Sequence, residues 1–332
     1  MVSIISTLLF TQTLAVPLRS HQTNPQAQTF MALSASQIAS FTPFTSYAST
    51  AYCHPSQTLT WSCGGTNCDA KPNFHPIASG GDGEFVQFWA SGDGPKKLWP
   101  LITDADSFLD TLDQDLFPGI GTDIEVHNGF AEAHAETANS VLDAVKTALE
   151  TSGFNQVTLV GHSLGAAPAL LDVLFLPFHL PGVKFRTIGY GMPWVGNKAF
   201  ANYVDAHVQL THVDNKQDIV PILPGRFLGF RHPQRETHIQ DNETWITCPG
   251  MSTRTPYNLC VHVLITIMFV SPRQDNTDKR CTVGDVRNIF QGSFDDHSGK
   301  WLLRISRPTF QLVFVREDRV SVPLLMSLFS IR

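Results

Sequence analysis

The pentapeptide Gly161-His162-Ser163-Leu164-Gly165 constrains this chain more than any other stretch. An apolar β-type run, Val157 to Val160, precedes it, and a helix-forming run from Ala166 through Leu174 follows. Strand, Gly-x-Ser-x-Gly and helix in that order are the setting of a nucleophile elbow. Gly161 and Gly165 carry no Cβ, so strand and helix can pass close together while Ser163 takes a strained turn. Its Oγ would then stand above the sheet, with the N–H groups at the start of the next helix aimed at the reacting centre. Leu164 offers its backbone N–H as one oxyanion donor. His162 lies inside the elbow and is expected to pack beside the nucleophile, not to act as its base.

A serine nucleophile needs a base, and the base needs an orienting carboxylate. In sheets of this kind the order along the chain is Ser, Asp, His. Asp218 follows a strand and precedes Ile219-Val220-Pro221, at a strand end where functional loops gather. Asp214 is the second candidate in the same loop. His297, in Asp295-Asp296-His297-Ser298-Gly299, is the best base by position. With 13 histidines in the chain, spacing alone leaves His232 and His238 as competitors.

The flanking pattern alternates strands and helices. A helix is expected over 32–48 and short strands over 74–77 and 85–89. Residues 98–112 read as a surface helix, and 123–127 as an edge strand. A long amphipathic helix follows over 131–151. Strands at 185–190, 208–213 and 235–240 and a helix at 199–206 complete the series. Alternation at these lengths gives an α/β protein with a mostly parallel central sheet and helices on both faces. The 332 residues, 42% hydrophobic and 16% charged, suffice for one large domain with tails. A net charge of -6 with no basic run argues against a nucleic-acid partner. Residues 261–270 form an apolar run too short to span a bilayer, so no transmembrane segment is expected.

Residues 1–15 are apolar and end in Thr13-Leu14-Ala15, which suits a signal peptide, although no Lys or Arg precedes the apolar run. Residues 16–30 are Pro- and Gln-rich and read as a propeptide or mobile tail. Six cysteines fit an exported protein, and a disulfide could close the short loop from Cys63 to Cys68. No second tight Cys/His pair stands at metal-ligand spacing, so neither metal nor organic cofactor is expected. Asn242-Glu243-Thr244 is an N-glycosylation acceptor if the chain is secreted.

The motifs together resemble the secreted fungal class 3 lipases, α/β-hydrolase triacylglycerol lipases, and more narrowly their basidiomycete-type members. The likeness rests on Val126-His127-Asn128-Gly129-Phe130, residues 157–171, Tyr190-Gly191-Met192-Pro193 and Val195-Gly196-Asn197. It also rests on residues 224–230, Cys248-Pro249-Gly250 and residues 281–286. It implies Ser163 as nucleophile, Asp218 as acid and His297 as base. It implies Cys63–Cys68 and Cys248–Cys281 as disulfides, with a lid over the site that we place at 98–109. The substrate would be a lipid or other acyl ester met at a transient lipid–water interface. Feruloyl or cutinase-like esterases, and a catalytically impaired hydrolase-fold protein, are the alternatives.

Several features depart from the family. Trp194 stands where an arginine is usual. Between Trp89 and Lys96 only Ala90-Ser91-Gly92-Asp93-Gly94-Pro95 remains, so a core strand and its oxyanion-bearing Thr or Ser look to be deleted near 89–96. Residues 251–273, with Cys260, interrupt a family-like run. Gly250-Met251-Ser252 can be encoded with a donor-like GTATGT, which reads as a retained intron. Residues 300–332 are also unlike the family, and Cys53 loses the terminal cysteine it would pair with there. The lipase domain is accordingly expected over 31–299.

Overall fold

The computed structural model describes residues 30–50, 53, 55–63, 66–69, 76, 79, 108–249, 277–297, 313–315 and 324–326. The expected signal peptide, most of the tail after it, the strand at 74–77 except residue 76, the strand at 85–89, the shortened turn at 90–95 and residues 98–107 of the lid lie outside these. So do the 251–273 insert and Cys260.

Strand β1 (Met31–Ala32) leads into helices α1 (Ala35–Ala39) and α2 (Thr42–Thr50). Strands β2 (Leu109–Thr111) and β3 (Glu125–His127) precede α3 (Asn128–Ser152). Strand β4 (Gln156–His162) delivers Ser163, and α4 (Ala166–His179) leaves it. Then come β5 (Lys184–Tyr190), β6 (Gly196–Asn197), α5 (Lys198–His207) and β7 (Leu210–Asn215). Strands β8 (Phe230–Arg231), β9 (Glu236–Ile239) and β10 (Trp245–Cys248) follow. The last are β11 (Val313–Val315) and β12 (Leu324–Met326).

The main sheet has the order β1-β10-β9-β7-β5-β4-β12-β11. Its centre, from β12 through β4, β5 and β7 to β9, is parallel throughout, and the outer pairs are antiparallel. Residues 157–162 of β4 are all buried, because helices cover both faces. On one side Leu159, Leu170, Leu171, Phe175 and Val145 join a single core from α3, α4 and α5. On the other, Tyr47 of α2, with Phe41 and Phe44, packs on Val160, Ile188, Tyr190 and Val213. Each such side chain contributes roughly 1.5–3 kcal/mol on burial.

The 25-residue α3 buries Phe130, Ala133, His134, Thr137, Ala138, Val141, Leu142 and Val145, a three-and-four spacing that makes one face. Its start is capped by His127 Nδ1, which accepts the Gly129 N–H, and it stops at Gly153 in the left-handed region (φ 70°). The surface helix expected over 98–112 is corrected at its described end. Residues 109–111 are extended and pair antiparallel with β3, because the backbone partner at Glu125–His127 outweighs a weak local periodicity. The helix expected over 32–48 is instead two helices, preceded by β1.

On the far side of β4, β12 runs parallel, with Leu324 opposite Thr158, Leu325 opposite Leu159 and Met326 opposite Val160. Strand β11 pairs antiparallel outside it. The edge of the nucleophile strand is therefore occupied by chain from the C-terminal tail.

Candidate active site

Ser163 is the residue at which β4 turns into α4. Its φ is +56°, a left-handed conformation that costs a non-glycine residue on the order of 1–3 kcal/mol. Gly161 permits that turn, since a Cβ there would run into Gly165 O and the Ala166 backbone. A single 3₁₀ turn over Ser163–Gly165 joins directly to α4, and Ser163 is 2% exposed. Leu164 lies at the start of this helical run, among the N–H groups that have no partner one turn back.

His297 comes from the one-turn helix Phe294–His297, far along the chain, and its Nε2 lies 2.7 Å from Ser163 Oγ. Its Nδ1 lies 2.8 Å from Asp218 Oδ2. A carboxylate only accepts, so Nδ1 carries the proton and Nε2 faces the serine hydroxyl as an acceptor. Asp218 is fully buried, and its second oxygen accepts the Val220 N–H at 2.8 Å. Burial pushes its carboxyl above the ordinary range, while the adjacent imidazole and the Val220 N–H pull it back.

The imidazole of His162 lies against that of His297, 4.8 Å between centroids with 21° between planes. Burial first, and the neighbouring imidazole second, hold the His162 pKa well below 6.5, so its ring stays neutral. Gly191 (φ 52°) passes directly over the acid–base pair. A Cβ there would stand 2.7 Å from Asp218 Oδ2 and 3.1 Å from His297 Nδ1.

The competing candidates sit elsewhere. Asp214 faces His212, with Oδ2 3.1 Å from its Nδ1, and is fully buried. His232 stacks on His212 at 4.7 Å, and burial lowers its pKa to about 3. His238 is held between the Arg280 and Lys216 carbonyl oxygens, at 2.6 and 2.9 Å. None of these rings has Ser163 as a hydrogen-bond partner among the described residues. Disulfides join Cys63 to Cys68 and Cys248 to Cys281, while Cys53 is buried with Sγ 4.0 Å from the Cys63 carbonyl oxygen. Trp194 is buried beside Phe230 and Val283. Asn242 is exposed, and its Oδ1 accepts the Thr244 N–H at 3.0 Å.

Glu236, Cys248 and Cys281 converge among the described residues. The two sulfurs are bonded to each other and Glu236 Oε1 accepts the Thr282 N–H at 2.6 Å, so the trio offers no free ligand set. The sequence gives no explicit role in the site to Gly191, which enters only within the Tyr190-Gly191-Met192-Pro193 stretch, or to Asn215, whose Nδ2 donates to the Asp296 carbonyl oxygen beside His297. Their signal was position: both stand at the C-terminal ends of parallel strands, where such sheets place functional loops.

Sheet order, elbow and hydrogen-bonded Ser–His–Asp row define a serine hydrolase of the α/β-hydrolase fold. Residues 93–228 match the family Lipase (class 3). A secreted mono- and diacylglycerol lipase of Malassezia globosa is 32% identical over 248 residues, 73% of this chain and 70% of that one. One from Malassezia restricta is 32% identical over 170 residues, where this chain covers about half of its length, 54%. Among solved structures, a lipase from Yarrowia lipolytica superposes with a TM-score of 0.63 at 21% identity, covering 85% of this chain and 98% of that one. The Rhizomucor miehei lipase–propeptide complex gives 0.58 at 24%, covering 82% and 84%. The chain belongs to the class 3 lipases and is a carboxylic ester hydrolase.

Proposed function

We propose that this protein is a secreted lipase that cleaves acylglycerol esters through Ser163, His297 and Asp218. The observation that carries the reading is the unbroken row from Ser163 Oγ through both nitrogens of His297 to Asp218, at 2.7 and 2.8 Å. Ser163 Oγ attacks the ester carbonyl carbon as His297 Nε2 takes its proton. Asp218 holds the ring and stabilises the imidazolium. The Leu164 N–H stabilises the oxyanion, and His297 then returns the proton to the departing alcohol. Water, deprotonated by His297, releases the fatty acid from the acyl-enzyme and restores Ser163.

The lipid substrate and the secreted location are supported by the relatives' names, secreted mono- and diacylglycerol lipases. No described helix is long and apolar enough to cross a membrane. Exposed Phe227 (88%), Phe290 (92%) and Phe294 (62%) suit contact with a lipid–water interface. The domain limits, 31–299 with residues 251–273 inserted, and glycosylation at Asn242 are part of this proposal.

A second reading, a crippled hydrolase, is favoured by the shortened 90–95 turn. Loss of one oxyanion donor costs about 10²–10³ in rate. Purified protein is assayed on p-nitrophenyl esters of increasing chain length and on mono-, di- and triacylglycerols, with Ser163→Ala as control. Turnover of long-chain esters that disappears in Ser163→Ala is expected. Preference for short or aromatic acyl groups would favour another esterase, and no Ser163-dependent turnover would favour the crippled form.

A further inference from the structure

Asn215 is the last residue of β7, and it touches the machinery twice without lining the reacting centre. Its carbonyl oxygen accepts the Asp218 N–H at 2.9 Å, which closes the turn that carries the acid. Its side-chain Nδ2 donates to the Asp296 carbonyl oxygen at 2.9 Å, and Asp296 is the residue immediately before the base. One residue thus holds the backbone of both Asp218 and His297. It is 2% exposed, and its Oδ1 has no hydrogen-bond partner among the described residues. The amide orientation follows from chemistry, because the flipped amide would set two carbonyl-type oxygens against each other.

The segment it holds has little means of holding itself. Residues 294–297 form a single helical turn, too short to be stable alone. Around it, Ile289, Phe290 and Phe294 are exposed and contribute no core. Among the described residues, backbone contact with the β7 loop fastens it. The Ser293 N–H donates to Gln217 O at 2.6 Å, and Ser293 bridges to Asp218. Among the described residues, the Asn215 bond holds the peptide immediately before His297. It fixes the peptide plane that enters the His297 Cα, and so the direction in which the imidazole leaves the chain.

We infer that Asn215 is a positioning residue for the base: its buried amide holds the Asp296 peptide so that His297 reaches Ser163 and Asp218 together. This rests on the Ser163–His297–Asp218 reading. A displacement of about 1 Å of a catalytic group costs on the order of 10²-fold in rate, without any contact to substrate being lost. Asn215→Ala removes the tether, and Asn215→Asp replaces the donor with an oxygen anion facing a carbonyl oxygen.

The test measures kcat and KM on a soluble p-nitrophenyl ester for the parent, Asn215→Ala, Asn215→Asp and Ser163→Ala. Thermal midpoints and the end-point fraction labelled by a fluorophosphonate count the folded sites. For Asn215→Ala a 10- to 100-fold fall in kcat is expected, with KM within twofold and the labelled fraction unchanged. Asn215→Asp should fall at least as far, and the acid limb of its kcat/KM profile should move to higher pH, since a new anion nearby favours the imidazolium. If Asn215→Ala keeps kcat within twofold of the parent, the inference is wrong. It is equally wrong if kcat falls only in step with the labelled fraction, which is a folding effect. If Ser163→Ala is as active as the parent, the triad reading itself fails, and the inference with it.

Discussion

The ring of His162 lies 4.8 Å beneath the ring of His297, nearly parallel to it. The two imidazoles come from distant parts of the chain, one from the elbow and the other from the Phe294–His297 turn. Burial holds the His162 pKa well below 6.5, and a charge on His297 lowers it further. The acid limb of kcat/KM therefore reports one ionisation, with a limiting slope of one. His162→Phe, which keeps an aromatic face under the base, should preserve that slope. His162→Ala should lose about tenfold in kcat through a loosened ring. A parent profile with a slope of two would show that both rings take protons in the working range.

Gly191 tests how tightly the acid–base pair is enclosed. Its N–H is already engaged with the Val213 carbonyl oxygen at 2.9 Å, so the backbone cannot retreat from the pair. Gly191→Ala would put a methyl 2.7 Å from Asp218 Oδ2 in a left-handed backbone conformation. We expect kcat to fall by about 10²-fold while KM changes little, with a stability cost of roughly 1 kcal/mol. Stopped-flow acylation rates beside a thermal melt would separate the two effects. Unchanged acylation would mean that the pair yields to the methyl.

Asp205 offers a stability prediction with a definite sign. Burial raises its carboxyl to about 6, against an ordinary 3.8, more than the Gln234 N–H and Arg235 pull it down. Its Oδ1 accepts that N–H at 2.8 Å, whereas Oδ2 has no partner among the described residues. A folded-state pKa above the unfolded one contributes stability that is fully present below pH 3.8 and is lost as pH rises through about 6. Asp205→Asn keeps the acceptor and removes the charge. It should stabilise the protein above pH 7 by on the order of 1–3 kcal/mol, with the difference vanishing towards pH 4. Thermal melts across that range check it. An equal effect at both ends would show that the carboxylate is not penalised.

The parts of this architecture that were legible in the sequence are local in origin. The strand, elbow and helix around Ser163 are written in one stretch, because the two glycines and the apolar runs on either side act only on near neighbours. The spacing of Phe130 through Val145 likewise marks one helical face without reference to the rest of the chain. Asp218 and His297 were reachable through chain order and strand-end position, but nothing local told His297 from His232 or His238. Burial and hydrogen bonding to carbonyl oxygens make that distinction, and both depend on distant segments. The β2 strand was misread for the same reason, since its partner lies fourteen or more residues away. Asn215 looked like an ordinary loop residue because its partner, the Asp296 carbonyl, belongs to a backbone 81 positions downstream.

The tail strand is the least local feature. A parallel strand at 324–326 cannot be read from three apolar residues, yet it covers the Thr158–Val160 edge of the strand that carries the nucleophile. Uncovered, that edge would present unpaired N–H and C=O groups beside a sheet whose faces are both packed, an arrangement that invites pairing with another chain. Ending the chain after residue 299 removes β11 and β12 and leaves every residue of the Ser163–His297–Asp218 row in place. We expect the midpoint of thermal unfolding to drop by about 5–10 °C, as the loss of two or three strand hydrogen bonds implies. Light scattering after size exclusion should show self-association that grows with concentration. Active-site labelling of the remaining monomer should slow as well, because β4 sets the height at which Ser163 turns out of the sheet. A truncated protein that stays monomeric, with the parent's midpoint and labelling rate, would mean that β4 needs no neighbour on that side.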